Sequence, residues 1–250
     1  MLEIPHGAKL QSEMKITLVR HATLLVELEG RRLLVDPMLG EMGSEPPIED
    51  TPNPVHNPTV PLPFPAEDVV RGLDAVLVTH LHEDHFDIVA AELLPREVPV
   101  FCQPPDEEYL AGLGLDARPV ETEVDWDGLR IVRTGGRHGT GAIAEALAPV
   151  SGFVLDGLYI AGDTVWYEGV EGWIAEHRPR VAVVYAGGAR FLEGDPITMT
   201  AADVAEVVAR VPTVVAVHME AINHCLLSRA ELRAAVPEAL VPEDGETLEL

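Results

Sequence analysis

The run Thr79-His80-Leu81-His82-Glu83-Asp84-His85, placed directly after the apolar Ala75–Val78, constrains this chain more than any other segment. Four side chains able to hold a cation fall within six residues. The apolar residues predict a strand that ends at His80. If the backbone stays extended for two more residues, His80 and His82 point to the same side, because side chains alternate along a strand. Asp84 and His85 then lie in a tight turn leading into a helix that begins near Phe86. Imidazole combined with carboxylate suits zinc, iron or manganese, so this turn is a predicted metal site rather than a polar loop with chance histidines.

The rest of the pattern is that of an α/β chain. Predicted strands cover Lys15–Leu28, Arg32–Val35, Ala75–Thr79, Val98–Cys102, Leu129–Arg133, Gly152–Leu155, Leu158–Ala161, Val181–Tyr185 and Thr213–Val217. Gly30 and the pair Asp156-Gly157 mark tight hairpins. Helices are predicted at Ala201–Val211 after Thr200, and at Ser228–Ala235, where Ser228 and Glu231 form a capping-box pattern. Shorter ones fall at Ala66–Leu73, Phe86–Leu94, Glu107–Leu113 and Val170–Glu176. Strands cluster early in each half, with helices interspersed. Two mixed sheets with helices outside them accommodate this, giving a four-layer α/β/β/α sandwich. Its 250 residues are expected to form one domain, residues 1–250. The stretch Pro37–Pro65 holds nine prolines and little periodicity. A loop this long is either functional or a rigid surface excursion.

Charge narrows the partners. Asp and Glu number 42 against 17 Lys and Arg, a formal net charge of -25. Such a field repels phosphate backbones and anionic headgroups. A small-molecule partner is therefore expected, with neither nucleic acid nor membrane; the oligomeric state is open. Cys102 and Cys225 are too few for a disulfide framework. Met1–His6 lacks the pattern of a secretory signal, and no apolar run approaches the ~20 residues that span a bilayer. A cytoplasmic location is expected.

The metal-site run resembles the metallo-β-lactamase superfamily. That family has an Asp after an early strand, the H-x-H-x-D-H loop, a lone His, a lone Asp and a final His, in this order. Asp36 after Leu33-Leu34-Val35, His138 in Gly135-Gly136-Arg137-His138-Gly139, Asp163 in Ala161-Gly162-Asp163-Thr164 and His218 after Val214–Val217 supply the rest. A further likeness, Arg20-His21-Ala22-Thr23, points to the group containing L-ascorbate-6-phosphate lactonases and N-acyl-phosphatidylethanolamine-hydrolysing phospholipase D, with Arg20 where that group has Gly. The resemblance implies that His80, His82 and His138 hold one metal. Asp84, His85 and His218 would hold a second, and Asp163 would bridge the two. It implies two divalent transition-metal ions, zinc first, with manganese or iron as alternatives. A metal-bound hydroxide would then cleave an ester-like bond, a lactone or a phosphodiester, in a small molecule.

Around that centre, Asp36 is expected to orient a ligand imidazole, and His21 to stand behind the metals or donate to substrate. Asp84 and His224 are the candidate catalytic residues, His224 by touching substrate. Trp166, Tyr167, Tyr185 and Arg190 are the candidate substrate wall. His6, His56 and His177 are expected to be solvated or structural. The bridging slot holds Asp163 where β-lactamases place a cysteine, which argues against antibiotic hydrolysis. Two rival readings are a di-iron redox protein working with a flavin partner and a non-catalytic metabolite-binding module.

Overall fold

A computed structural model describes residues 14–147 and 149–250; His6 and the rest of Met1–His6 lie outside them. The strands of the N-terminal half are β1 (Lys15–Arg20), β2 (Thr23–Leu28), β3 (Arg31–Val35), β4 (Ala75–Leu77), β5 (Pro99–Cys102), β6 (Asp116–Pro119) and β7 (Glu123–Trp126). Those that follow are β8 (Leu129–Gly135), β9 (Ser151–Leu155), β10 (Leu158–Ile160), β11 (Val181–Tyr185), β12 (Thr213–Val217) and β13 (Thr247–Glu249). They form one sheet in the order β13-β1-β2-β3-β4-β5-β6 and another in the order β12-β11-β10-β9-β8-β7. Each sheet is mixed: β3 to β6 and β10 to β12 run parallel, and the other neighbours are antiparallel.

Continuous apolar strands are explained by burial on both faces. Ala75 and Leu77 of β4 face the opposite sheet, while Val76 and Val78 face the helices. Val181, Val183 and Tyr185 of β11 point inward, and Ala182 and Val184 outward. The first sheet is covered by α1 (Ala66–Val69), α2 (Ile88–Leu93) and α3 (Glu107–Gly112). After α4 (Gly141–Ala146), the second sheet is covered by α5 (Glu168–His177), α6 (Ala201–Val208) and α7 (Arg229–Ala235). The expected α/β/β/α layering is the one found. The expected capping box of Ser228 with Glu231 forms, and Thr200 caps its helix as expected, in a second box with Asp203 that the sequence reading did not include.

Three features differ from the sequence reading. The run Lys15–Leu28 is not one strand: it breaks at His21-Ala22, where His21 takes φ +58° and the pairing shifts register. The short strands β6, β7 and β13 and the helix α4 were not legible, because their few residues are largely exposed and owe their order to neighbouring chain. The sequence assigns Arg20 no role, yet it is fully buried, and its guanidinium donates to the carbonyls of Met38 (2.9 Å), Gly40 (2.9 Å) and Val60 (3.2 Å). Burial lowers its pKa to about 10 against the opposing charges of Asp87 and Asp244. Arg20→Met keeps the apolar stem but strands three carbonyls. A loss of about 3 kcal/mol in denaturant unfolding is expected, and a loss below about 1 kcal/mol would show that water replaces the guanidinium there.

Candidate metal centre

Every expected ligand sits just beyond the C-terminal end of a strand: the 79–85 turn after β4, His138 after β8, Asp163 after β10 and His218 after β12. Asp36 follows β3 in the same way. The two sheets therefore deliver side chains to one end of the sandwich. Gly162, at φ +68°, makes the turn into Asp163, and a Cβ there would lie 2.3 Å from the Ser151 carbonyl oxygen, so no other residue fits. His218, itself at φ +72°, donates its backbone N–H to the His21 carbonyl at 2.9 Å and ties the second sheet to the β1–β2 turn.

The side chains converge in two groups. His80, His82, His138 and Asp163 form one, and His21, Asp84, His85 and His218 the other; within each, the potential ligand atoms lie within 4.8 Å of one another. Asp163 belongs to the first group but stands between the two. Its Oδ2 is 3.5 Å from His138 Nε2 and 3.4 Å from His85 Nε2, and its Oδ1 is 3.2 Å from His218 Nε2. His21 is closer to the centre than a remote support would be: its Nε2 donates to Asp84 Oδ2 at 3.1 Å, and its ring lies 3.7 Å from that of His218.

Four of the imidazoles are aimed from behind. His85 Nδ1 donates to Asp36 Oδ2 at 3.0 Å, and His138 Nδ1 to the Ile197 carbonyl at 2.9 Å. His80 Nδ1 meets the Thr79 hydroxyl at 3.0 Å, and His218 Nδ1 meets Cys225 Sγ at 3.7 Å. In each ring the anchored Nδ1 leaves Nε2 to face the centre, the arrangement that fixes tautomer and direction in metal ligands. Asp36 is the hub of this support. It also accepts from Thr79 N–H, the Thr79 hydroxyl and the Tyr185 hydroxyl, all at 2.7 Å.

The same atoms test whether a cation fits. His85 Nε2 faces His218 Nε2 at 3.1 Å, and His80 Nε2 faces His82 Nδ1 at 3.0 Å, so lone pairs converge. Asp163 Oδ1 is buried with no hydrogen-bond donor among the described residues. Burial alone would raise the pKa of Asp84 and Asp163, but the surrounding imidazoles outweigh it and hold both well below the usual carboxylate range. Burial opposes charge on His218 too, yet Asp163 and Cys225 lift it to about 10. Two buried carboxylates thus call for positive charge in the space they share. Two divalent ions fit this donor set.

A cavity of about 270 Å³ opens onto the centre through His82, Asp84, His138 and Asp163. His224 lines it, 5% exposed, with its ring stacked 6.4 Å from that of Phe191. Of the expected substrate wall, none of Trp166, Tyr167, Tyr185 and Arg190 lines this cavity. Trp166 lies beneath the Arg210 guanidinium at 4.7 Å, and Tyr167 beneath that of Arg137 at 4.2 Å. Tyr185 is fully buried behind the ligands, stacked on His218 and bonded to Asp36. Arg190 donates to the Gly194 carbonyl. The walls come instead from Pro46, Ile48 and Pro58 of the proline-rich stretch, and from Phe191, Ile197 and Ile222. Apolar residues in loops at the ligand-bearing end were the available sequence signal. Of the remaining histidines, His56 is exposed and His177 stacks on Trp173.

The β-lactamase superfamily domain pattern matches residues 31–219. With this fold and this centre, the chain belongs to the metallo-β-lactamase superfamily and is a metal-dependent hydrolase with a dinuclear site. Within the superfamily it is UPF0173-like: UPF0173 protein YddR of Bacillus subtilis is 37% identical over 251 residues, covering 94% of this chain and 99% of YddR. The crystal structure of an isothiocyanate hydrolase from Delia radicum gut bacteria superposes with TM-score 0.89 at 35% identity, covering 95% of this chain and 99% of that one. A possible metal-dependent hydrolase from Veillonella parvula gives TM-score 0.89 at 32% identity over 94% and 99%. These relatives support the superfamily without a specific link to the lactonase and phospholipase D group. No helix among the described residues is long and apolar enough to cross a membrane.

Proposed function

We propose that the chain, as a single domain, hydrolyses small uncharged electrophiles bearing an apolar substituent, lactones or isothiocyanates, in preference to phosphodiesters. The observation behind this is the cavity lining: apolar walls, the acids Glu45 and Glu83 and, among the described residues, no Lys or Arg to meet a phosphoryl charge. The isothiocyanate hydrolase at 35% identity supports the same class. In this reading His80, His82 and His138 hold one ion, Asp84, His85 and His218 the other, and Asp163 stands between, with zinc favoured by the imidazole-rich set. When bound, two such ions supply a nucleophilic hydroxide at neutral pH and polarise the bond being cut. Asp84, kept ionised, offers a carboxylate beside the reacting atoms. His21, buried with its pKa lowered to about 3 by desolvation and by His218, stays neutral and orients Asp84. The free thiols Cys102 and Cys225 agree with a reducing, cytoplasmic setting. The zinc-loaded protein should turn over γ-lactones or alkyl isothiocyanates at least 100-fold faster than bis(p-nitrophenyl) phosphate. The reverse order would overturn the reading.

His224 is the residue assigned to substrate. It lines the cavity, and its Nδ1 is buried with no hydrogen-bond partner among the described residues. Desolvation lowers its pKa to about 4 despite the opposing charge of Asp84, so near neutrality it is an uncharged imidazole able to donate one hydrogen bond. Donation to a developing anion contributes about 10²–10⁴-fold. His224→Gln is expected to keep both metals and lose at least about 30-fold in kcat. Loss of a metal equivalent would make His224 a ligand, and unchanged kcat would make it structural.

A further inference from the structure

We propose that Asn223 is a specificity-determining positioning residue, pinning the proline-rich strap 41–63 as a fixed wall of the cavity. This deepens the functional reading above and rests on it for the substrate class alone. The strap has no helix or strand, only an isolated bridge between Glu45 and Asn57. Yet Pro46, Ile48, Asn57 and Pro58 form one side of the cavity, so something else must hold them.

Asn223 does so with its whole polar complement. Its Nδ2, with two hydrogens to give, lies among three acceptors: the Thr51 hydroxyl (2.6 Å) and the carbonyls of Asn53 (2.8 Å) and Ile48 (3.1 Å). Its Oδ1 accepts from Asn57 Nδ2 (2.9 Å) and from the Ile48 N–H (3.2 Å). Its backbone N–H donates to Asn57 Oδ1 at 2.9 Å, and its carbonyl accepts from Asn53 Nδ2 at 3.2 Å. Asn223 is 3% exposed and Asn57 5%, so water does not compete for these bonds. An amide is required, since it alone offers two donors and an acceptor on one short planar group. A carboxylate would face two carbonyl oxygens without a proton to give.

The placement matters because Asn223 directly precedes His224 and follows Ile222, both of which line the cavity. Strap and substrate-facing loop therefore form one unit, while His85, His80 and His138 are braced separately by Asp36, Thr79 and Ile197, and only His218 is supported from this loop, through Cys225. Loosening the strap should alter the apolar wall without emptying the centre. A long apolar substituent would lose more than a short one.

The test uses the zinc-loaded full chain carrying Asn223→Ala, with Asn53→Ala as a milder variant that removes one exposed side chain and should fold normally. Hydrogen exchange at Glu45, Ile48 and Asn57 amides is expected to accelerate at least tenfold in Asn223→Ala and less in Asn53→Ala, with metal content equal to wild type. The ratio of kcat/KM for phenethyl over methyl isothiocyanate, or for γ-decalactone over γ-butyrolactone, should fall at least tenfold, mainly through KM. Unchanged exchange, or an unchanged ratio with loosened exchange, overturns the proposal. Should Asn223→Ala fail to fold, the same readings on Asn53→Ala decide, a twofold or smaller shift in both counting against it. If wild type turns over neither series, the substrate reading fails, and the exchange data still decide whether Asn223 holds the strap.

Discussion

Asp163→Ala is expected to strip metal from both halves of the centre and to lower kcat/KM by at least about 10³-fold. The carboxylate lies within 3.2–3.8 Å of imidazole nitrogens from both groups, His80 and His138 on one side, His85 and His218 on the other. Its removal would leave two dications facing each other through a space with no anion, where repulsion is strong because water is largely excluded. Asp84→Ala should differ, since Asp84 approaches His21, His85 and His218 of one group. That variant is expected to retain about one metal equivalent by elemental analysis, against close to none for Asp163→Ala. Two equivalents retained in Asp163→Ala would contradict its bridging position.

Asp36→Ala should be nearly as damaging, although Asp36 holds no metal in this reading. Four donors converge on its carboxylate: the Thr79 amide and hydroxyl, His85 Nδ1 and the Tyr185 hydroxyl. All are buried, so each loses its partner with no water to replace it. Stability should fall by about 3 kcal/mol or more in denaturant unfolding of the metal-free protein. Zinc affinity, measured by chelator competition, should weaken about 10–100-fold, because His85 is no longer held in its tautomer and direction. Affinity within threefold of wild type would show that the turn 79–85 holds its shape unaided.

The two His/Asp clusters were legible because their signals are local. His80, His82, Asp84 and His85 share one turn, and each other candidate ligand follows an apolar strand whose end a short sequence window reveals. Those ends meet because parallel strands align their C-terminal ends. His21 was harder to place, since nothing in Lys15–Leu28 announces the break that turns it inward. The lining of the cavity was hard to read for a related reason. Strand ends say which loops reach the active end of the sandwich, but not which of them folds over the cavity. Phe191 lines it and its neighbour Arg190 does not, a difference of one residue decided by loop conformation.

The chain's own sequence thus determined the layering and the metal chemistry, through strand periodicity, capping boxes and the spacing of imidazoles and carboxylates. Tertiary structure alone decided that Arg20 and Asn223 would anchor the proline-rich stretch Pro37–Pro65, and that part of this stretch would line the cavity. Hydrogen bonds between residues 166 or more positions apart, such as those joining Asn57 and Asn223, leave no trace in local pattern. They arise only when the two sheets have packed and brought distant loops to the same end.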